Sequence, residues 1–121
     1  MSQVLAFVDD LMFLTRIREA ARGAGVEVKS ARRVPELVEA ARAARLVLVD
    51  LDSQRLPVAA ALDALRSDAQ AARTPVVGFF SHVHVERAQA ARQAGCARVL
   101  PRSAFVQELP ALLGADPASP E

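Results

Sequence analysis

Five short apolar segments alternating with five segments of helical period predict an α/β fold, an open parallel sheet with helices on both faces. The connections are short and no repeat interrupts the alternation. The third apolar segment, Leu46-Val47-Leu48-Val49, is hydrophobic on both of its faces, as a strand between two helical layers must be. A length of 121 residues, 52% of them hydrophobic, suits a single core.

The elements follow in order. Val4-Leu5-Ala6-Phe7-Val8 is a strand-type run, and residues 11–24 repeat at helical spacing through Leu11, Leu14, Ile17, Arg18 and Ala21. Gly23-Ala24-Gly25 closes that helix, and Val26-Glu27-Val28 alternates as a short second strand. Pro35 sits where a first helical turn accepts proline, and Leu37, Val38 and Ala41 give the next helix its apolar face. After the third strand, Pro57 opens a helix carrying Ala60, Ala61, Leu62 and Leu65. Residues 75–80 form the fourth strand, with Pro75 at its first position, where a missing donor is tolerated. An Ala-rich helix over residues 85–94 ends at Gly95, and residues 97–100 are the fifth strand. Residues 104–113 are the last helix, in which Pro110 predicts a kink or a break. One domain thus spans residues 1–113, and residues 114–121 read as a frayed, disordered tail.

Composition excludes several classes. A formal net charge of +1 gives no field that argues for nucleic acid or a membrane surface. Arg16, Arg18, Arg22, Arg32, Arg33, Arg42 and Arg45 interleave with Glu19, Glu27, Glu36 and Glu39, a mixed solvated face and not a basic stripe. Cys96 is the single cysteine, so neither an intramolecular disulfide nor a cysteine zinc site can form. No basic segment followed by a long apolar run opens the chain, and no stretch approaches the roughly 20 apolar residues that span a bilayer. A cytoplasmic protein is the expectation. The turn after the first strand lacks glycine and carries two acids, which opposes a bound nucleotide phosphate.

Asp9 and Asp10 close the first strand and Asp50 closes the third. In the common five-stranded order 2-1-3-4-5 these strands are neighbours, and ligands bind beyond their carboxyl ends. Three carboxylates gathered there repel one another unless a proton or a cation joins them, and hard oxygen ligands suit magnesium. The competing explanation is that each Asp merely caps the helix that follows.

With these residues in view, the chain resembles the receiver domain of bacterial response regulators over residues 3–113. The likeness rests on Val4-Leu5-Ala6-Phe7-Val8-Asp9-Asp10, Leu46-Val47-Leu48-Val49-Asp50, Thr74-Pro75-Val76-Val77, Ala94-Gly95-Cys96 and Val99-Leu100-Pro101-Arg102. The resemblance implies a flavodoxin-like three-layer α/β/α sandwich. It also implies a magnesium site at Asp9, Asp10 and Asp50, with Asp50 in the phosphoacceptor position. Implied partners are a histidine kinase or a downstream signalling protein, with a homodimer through the last strand and its flanking helices as a further arrangement. Arg87, Arg92 and Arg98 are the candidates for that contact surface.

Two positions depart from the family pattern. Where the family has Thr or Ser at the end of strand four, this chain has Phe80, and Ser81 stands one residue later, facing the other way on a strand. Where the family has Lys followed by Pro, this chain has Arg102 followed by Ser103, and a guanidinium does not replace an ammonium like for like. The expected function is therefore an atypical, stand-alone receiver that signals by protein contact without enzymatic activity. Alternatives are a regulator phosphorylated on Asp50, including one rewired through Ser81 and Arg102, and a small-ligand sensor in the same crevice.

Asp50-Leu51-Asp52 after an apolar strand is also similar to the first motif of haloacid-dehalogenase-type phosphatases. That likeness implies Asp50 as nucleophile and Asp52 as general acid, but the downstream acidic pair such enzymes need has no counterpart beyond Asp116. Ser81-His82-Val83-His84, with Glu86 nearby, places two histidines at i, i+2 as metal-ligand candidates. A loop leading into the fourth helix is the competing reading.

Overall fold

The computed structural model describes residues 3–81 and 85–114. Its elements are β1 (Gln3–Phe7), α1 (Leu11–Ala24), β2 (Glu27–Ser30), α2 (Val34–Ala41), β3 (Leu46–Asp50), α3 (Val58–Ser67), a 3-10 turn (Ala71–Arg73), β4 (Val76–Phe80), α4 (Val85–Gln93), β5 (Arg98–Pro101) and α5 (Arg102–Gly114). The five strands form one sheet in the order β2-β1-β3-β4-β5. Every neighbouring pair runs parallel. This is the open parallel sheet that the alternation of elements predicted, in the flavodoxin-like order that the receiver resemblance implied.

Strand residues alternate between two cores because successive side chains leave opposite faces of a sheet. Leu5, Phe7, Val47, Val49, Val76 and Phe80 pack under α2, α3 and α4. Val4, Ala6, Leu46, Leu48, Val77 and Phe79 pack under α1 and α5. Each fully buried Leu, Val or Phe contributes roughly 1.5–3 kcal/mol of hydrophobic free energy, so the sheet is the stable platform on which loops can be held.

Local chemistry sets the helix ends. Asp10 caps α1 by accepting the Phe13 N–H at 3.1 Å, and Gly25 closes the helix in the left-handed region at φ 70°. The second strand begins at Glu27, after this cap, and not at Val26. On α1 the buried stripe is Leu14, Ile17 and Ala21, while Leu11 is 69% exposed, because the first turn projects past the end of the sheet. On α3 the buried set is Ala61, Leu62 and Leu65, with Ala60 turned to solvent.

The last helix starts at Arg102, two residues before the position that the periodicity suggested, and continues through Pro110 to Gly114. Pro110 does not break it. The proline lies on the exposed side, where water can serve the carbonyl that loses its donor, and Leu109 and Leu113 anchor the turns on either side in the core. Of the tail expected over residues 114–121, Gly114 is the last residue of α5, and residues 115–121 lie outside the described residues.

Candidate functional site

Strand register assembles the pocket. Phe7 pairs with Val49, Asp50 with Phe79, and Phe80 with Pro101, so the carboxyl ends of β1, β3, β4 and β5 finish at one level. Asp9 and Asp10 follow β1, Asp50 ends β3, Ser81 follows β4 and Arg102 follows β5. The sequence-predicted acids and Arg102 are therefore brought together.

Arg102 organises them. Its Nη2 lies 3.2 and 3.3 Å from the two carboxylate oxygens of Asp50. Its Nη1 lies 3.7 Å from Asp10 Oδ2, and its Nε 3.8 Å from Asp52 Oδ2. One guanidinium thus presents a different nitrogen to each of three carboxylates, a division that a single ammonium cannot reproduce. The side chain is held from below by aromatic faces, with its central carbon 4.8 Å from the Phe13 ring centroid and 5.3 Å from that of Phe79. Those rings continue inward as a stack, with Phe13 and Phe79 centroids 4.7 Å apart and Phe79 and Phe105 4.5 Å apart.

Asp50 is buried, more deeply than Asp10 or Asp52. Burial pushes its carboxyl above the ordinary value of 3.8, against the opposing pull of the Asp52 N–H and the Arg102 charge. Asp52 and Asp9 add to the upward push by like charge, which places Asp9 within electrostatic reach. The Asp52 N–H donates to Asp50 Oδ1 at 3.0 Å, and Asp52 Oδ2 accepts the Ser81 N–H at 2.6 Å. Asp52 therefore fastens the start of the β4–α4 connection to the β3–α3 connection.

Phe80 is buried under α3 and α4, so the position at the end of β4 serves packing and offers no hydroxyl to the pocket. The side chain that follows Asp50, Leu51, fills the space beside Gly78: a β-carbon at residue 78 would lie 2.8–3.0 Å from three Leu51 atoms. A groove of about 650 Å³ between α3 and α4 is floored by Leu51 and Ala91 and bordered by Asp63 and Arg87.

The three arginines proposed as a contact patch do not share one face. Arg87 turns toward the Leu51 carbonyl, 3.5 Å away, on the α3/α4 side of the sheet. Arg98 forms a two-pronged pair with Glu108 of α5 on the opposite side, its Nη1 2.6 Å from Oε1. Arg92 is exposed in the last turn of α4. His82 and His84 lie outside the described residues.

The donor set at Asp9, Asp10 and Asp50 has the chemistry for magnesium, but its arrangement does not fit one. Among the described residues no group of three acids, histidines or cysteines stands close enough to hold a metal ion. Asp10 is committed to the α1 cap and Arg102, and both Asp50 oxygens face Nη2.

Sequence reading missed Phe13, Phe79 and the Asp52–Ser81 tie. Phe13 stands three residues after Asp10, on the turn that Asp10 itself caps, and that spacing was the available signal. Phe79 was legible only as a core strand residue.

No protein-family model matches the chain, and no curated protein matches it. Solved structures do. A response regulator from Hahella chejuensis superposes with a TM-score of 0.79 at 17% identity, covering 98% of this chain and 96% of that one. The chemotaxis response regulator CheY4 of Vibrio cholerae gives 0.75 at 23% identity, over 93% and 96%. The receiver domain of a Pseudomonas aeruginosa sensor histidine kinase, described with a magnesium ion coordinated in its active-site cleft, gives 0.70 at 22% identity, over 94% and 98%. The chain has the receiver fold. No described helix is long and apolar enough to cross a membrane.

Proposed function

We propose that this chain is an atypical receiver module of bacterial signal transduction, working through protein contact from a pocket held in one state. The carrying observation is Arg102, which pairs with Asp50 on both oxygens while Phe80 leaves the end of β4 without a hydroxyl. A phosphoryl group on Asp50 would have to displace that guanidinium and would meet no side-chain hydroxyl at residue 80 to report it. Large apolar side chains at the mouth of the pocket support the contact role. Leu11 and Met12, 69% and 85% exposed, follow Asp10 directly, and Val85 opens α4 in a similarly exposed state. Such side chains suit a protein partner, either a histidine kinase or a downstream signalling protein.

A phosphorylatable regulator is the second reading, favoured by the same arginine: a positive charge at the buried Asp50 could attract a phosphodonor. Incubation with labelled acetyl phosphate and magnesium separates the two. No acid-stable or base-labile label on Asp50 is expected, and label that vanishes in Asp50→Asn would establish the second reading instead. The same samples should turn over no aryl phosphate, since Asp52 is tied to the Ser81 amide and is not placed as a free general acid.

A further inference from the structure

Four carboxylates, Asp9, Asp10, Asp50 and Asp52, gather at one end of the sheet around a single guanidinium. With Asp50 buried among them, such a group needs compensating positive charge, either from a bound ion or from the chain. Here the chain supplies it in a fixed position. Arg102 is the first residue of α5, so its backbone is anchored by that helix. Its planar head rests against Phe13 and Phe79, and each of its three nitrogens faces a separate acid. Only 33% of the side chain is exposed. This is a preorganised cation, not a mobile surface arginine.

We infer that Arg102 is the resident cation of the pocket, standing in the place of a divalent metal, so that arginine and metal exclude each other. The inference concerns the pocket of the reading above but stands on the geometry of Arg102 alone, whatever Asp50 accepts. Divalent magnesium requires near-octahedral oxygen ligation at about 2.0–2.1 Å, and the guanidinium presents N–H groups to the oxygens that would provide it. Removing Arg102 leaves those carboxylates mutually repelling and free to draw in around an ion that their spacing beside the arginine does not fit.

The test is a titration with magnesium alone, followed by amide shifts and by Tm, on the wild-type chain, Arg102→Met and Arg102→Lys. The wild type should show no saturable shifts around residues 9, 10, 50 and 52 up to about 10 mM. Arg102→Met should lose thermal stability without magnesium, regain part of it on titration, and bind at least about tenfold more tightly than the wild type. Arg102→Lys, which keeps one positive point charge but cannot reach three acids, should fall between them and serves if the methionine variant does not fold. Adding Asp50→Asn to either variant should abolish the response. Wild-type binding as tight as that of the variants would overturn the inference, and so would variants that bind no magnesium. No phosphodonor or partner is present, so label on Asp50 would sink the functional reading while leaving this result standing.

Discussion

Asp50 ends the strand that is buried on both faces, and its surroundings oppose its charge more than they favour it. Its carboxyl is raised above 3.8 in the fold, first by burial. In the window that opens at the ordinary value and extends upward, the folded state holds more proton than the unfolded chain. Stability from this group therefore falls as pH rises through that window. Asp50→Asn should remove the penalty at neutral pH while its side-chain oxygen still accepts the Asp52 N–H. We expect a higher Tm than that of the wild type at pH 7. The gain should shrink toward pH 4, and a variant less stable than the wild type at pH 7 would show that the Arg102 pair outweighs burial. At this scale the acids were legible, because strand ends and caps announce themselves in sequence. The direction of Arg102 was not, since it depends on where α5 begins and on two rings from α1 and β4.

The connections between elements carry the next set of consequences. Gly78 on β4 has no conformational reason to be glycine; it is small because Leu51, in the loop after β3, occupies the space of its β-carbon. Gly78→Ala should cost about 1–3 kcal/mol through overpacking. Leu51→Ala in that background should cost less than the two single changes added together, and strict additivity in urea denaturation would refute the contact. Thr74, buried before β4, donates its hydroxyl to the Ala41 carbonyl at the end of α2 at 2.6 Å. Thr74→Val leaves that carbonyl with only the longer bond from the Ala44 N–H at 3.3 Å, and a loss of about 1 kcal/mol is expected by the same assay. Element positions were read well from periodicity and punctuation. The continuity of α5 through Pro110 was not, because local propensity is silent about the core contacts of Leu109 and Leu113 that hold both sides.

For the molecule as a whole, two shifted acids run in opposite senses. Asp68, paired with Arg42 across the gap from α2 and receiving the Ala71 N–H, is lowered to about 2. Its contribution is complete above the ordinary carboxylate value and is lost only as pH falls toward 2, while the Asp50 penalty eases over the acid range. The urea midpoint at pH 5 should therefore equal or exceed that at pH 7, with collapse setting in nearer pH 2; a steady decline from pH 7 to 5 would contradict this. The topology was legible because parallel strands need helical crossovers and the alternation allows few orders. The partners of the arginines were not, because Arg87 and Arg98 are only 11 positions apart in sequence yet turn to opposite faces of the sheet, one to the Leu51 carbonyl and the other to Glu108.

The sheet's two margins remain. On β2 the outward residues are Glu27 and Lys29, and β5 is four residues long and ends in Pro101, which has no N–H to offer. Charged, short and proline-terminated margins are poor templates for another strand. Copies of this domain crowded together should therefore resist fibril growth by strand addition.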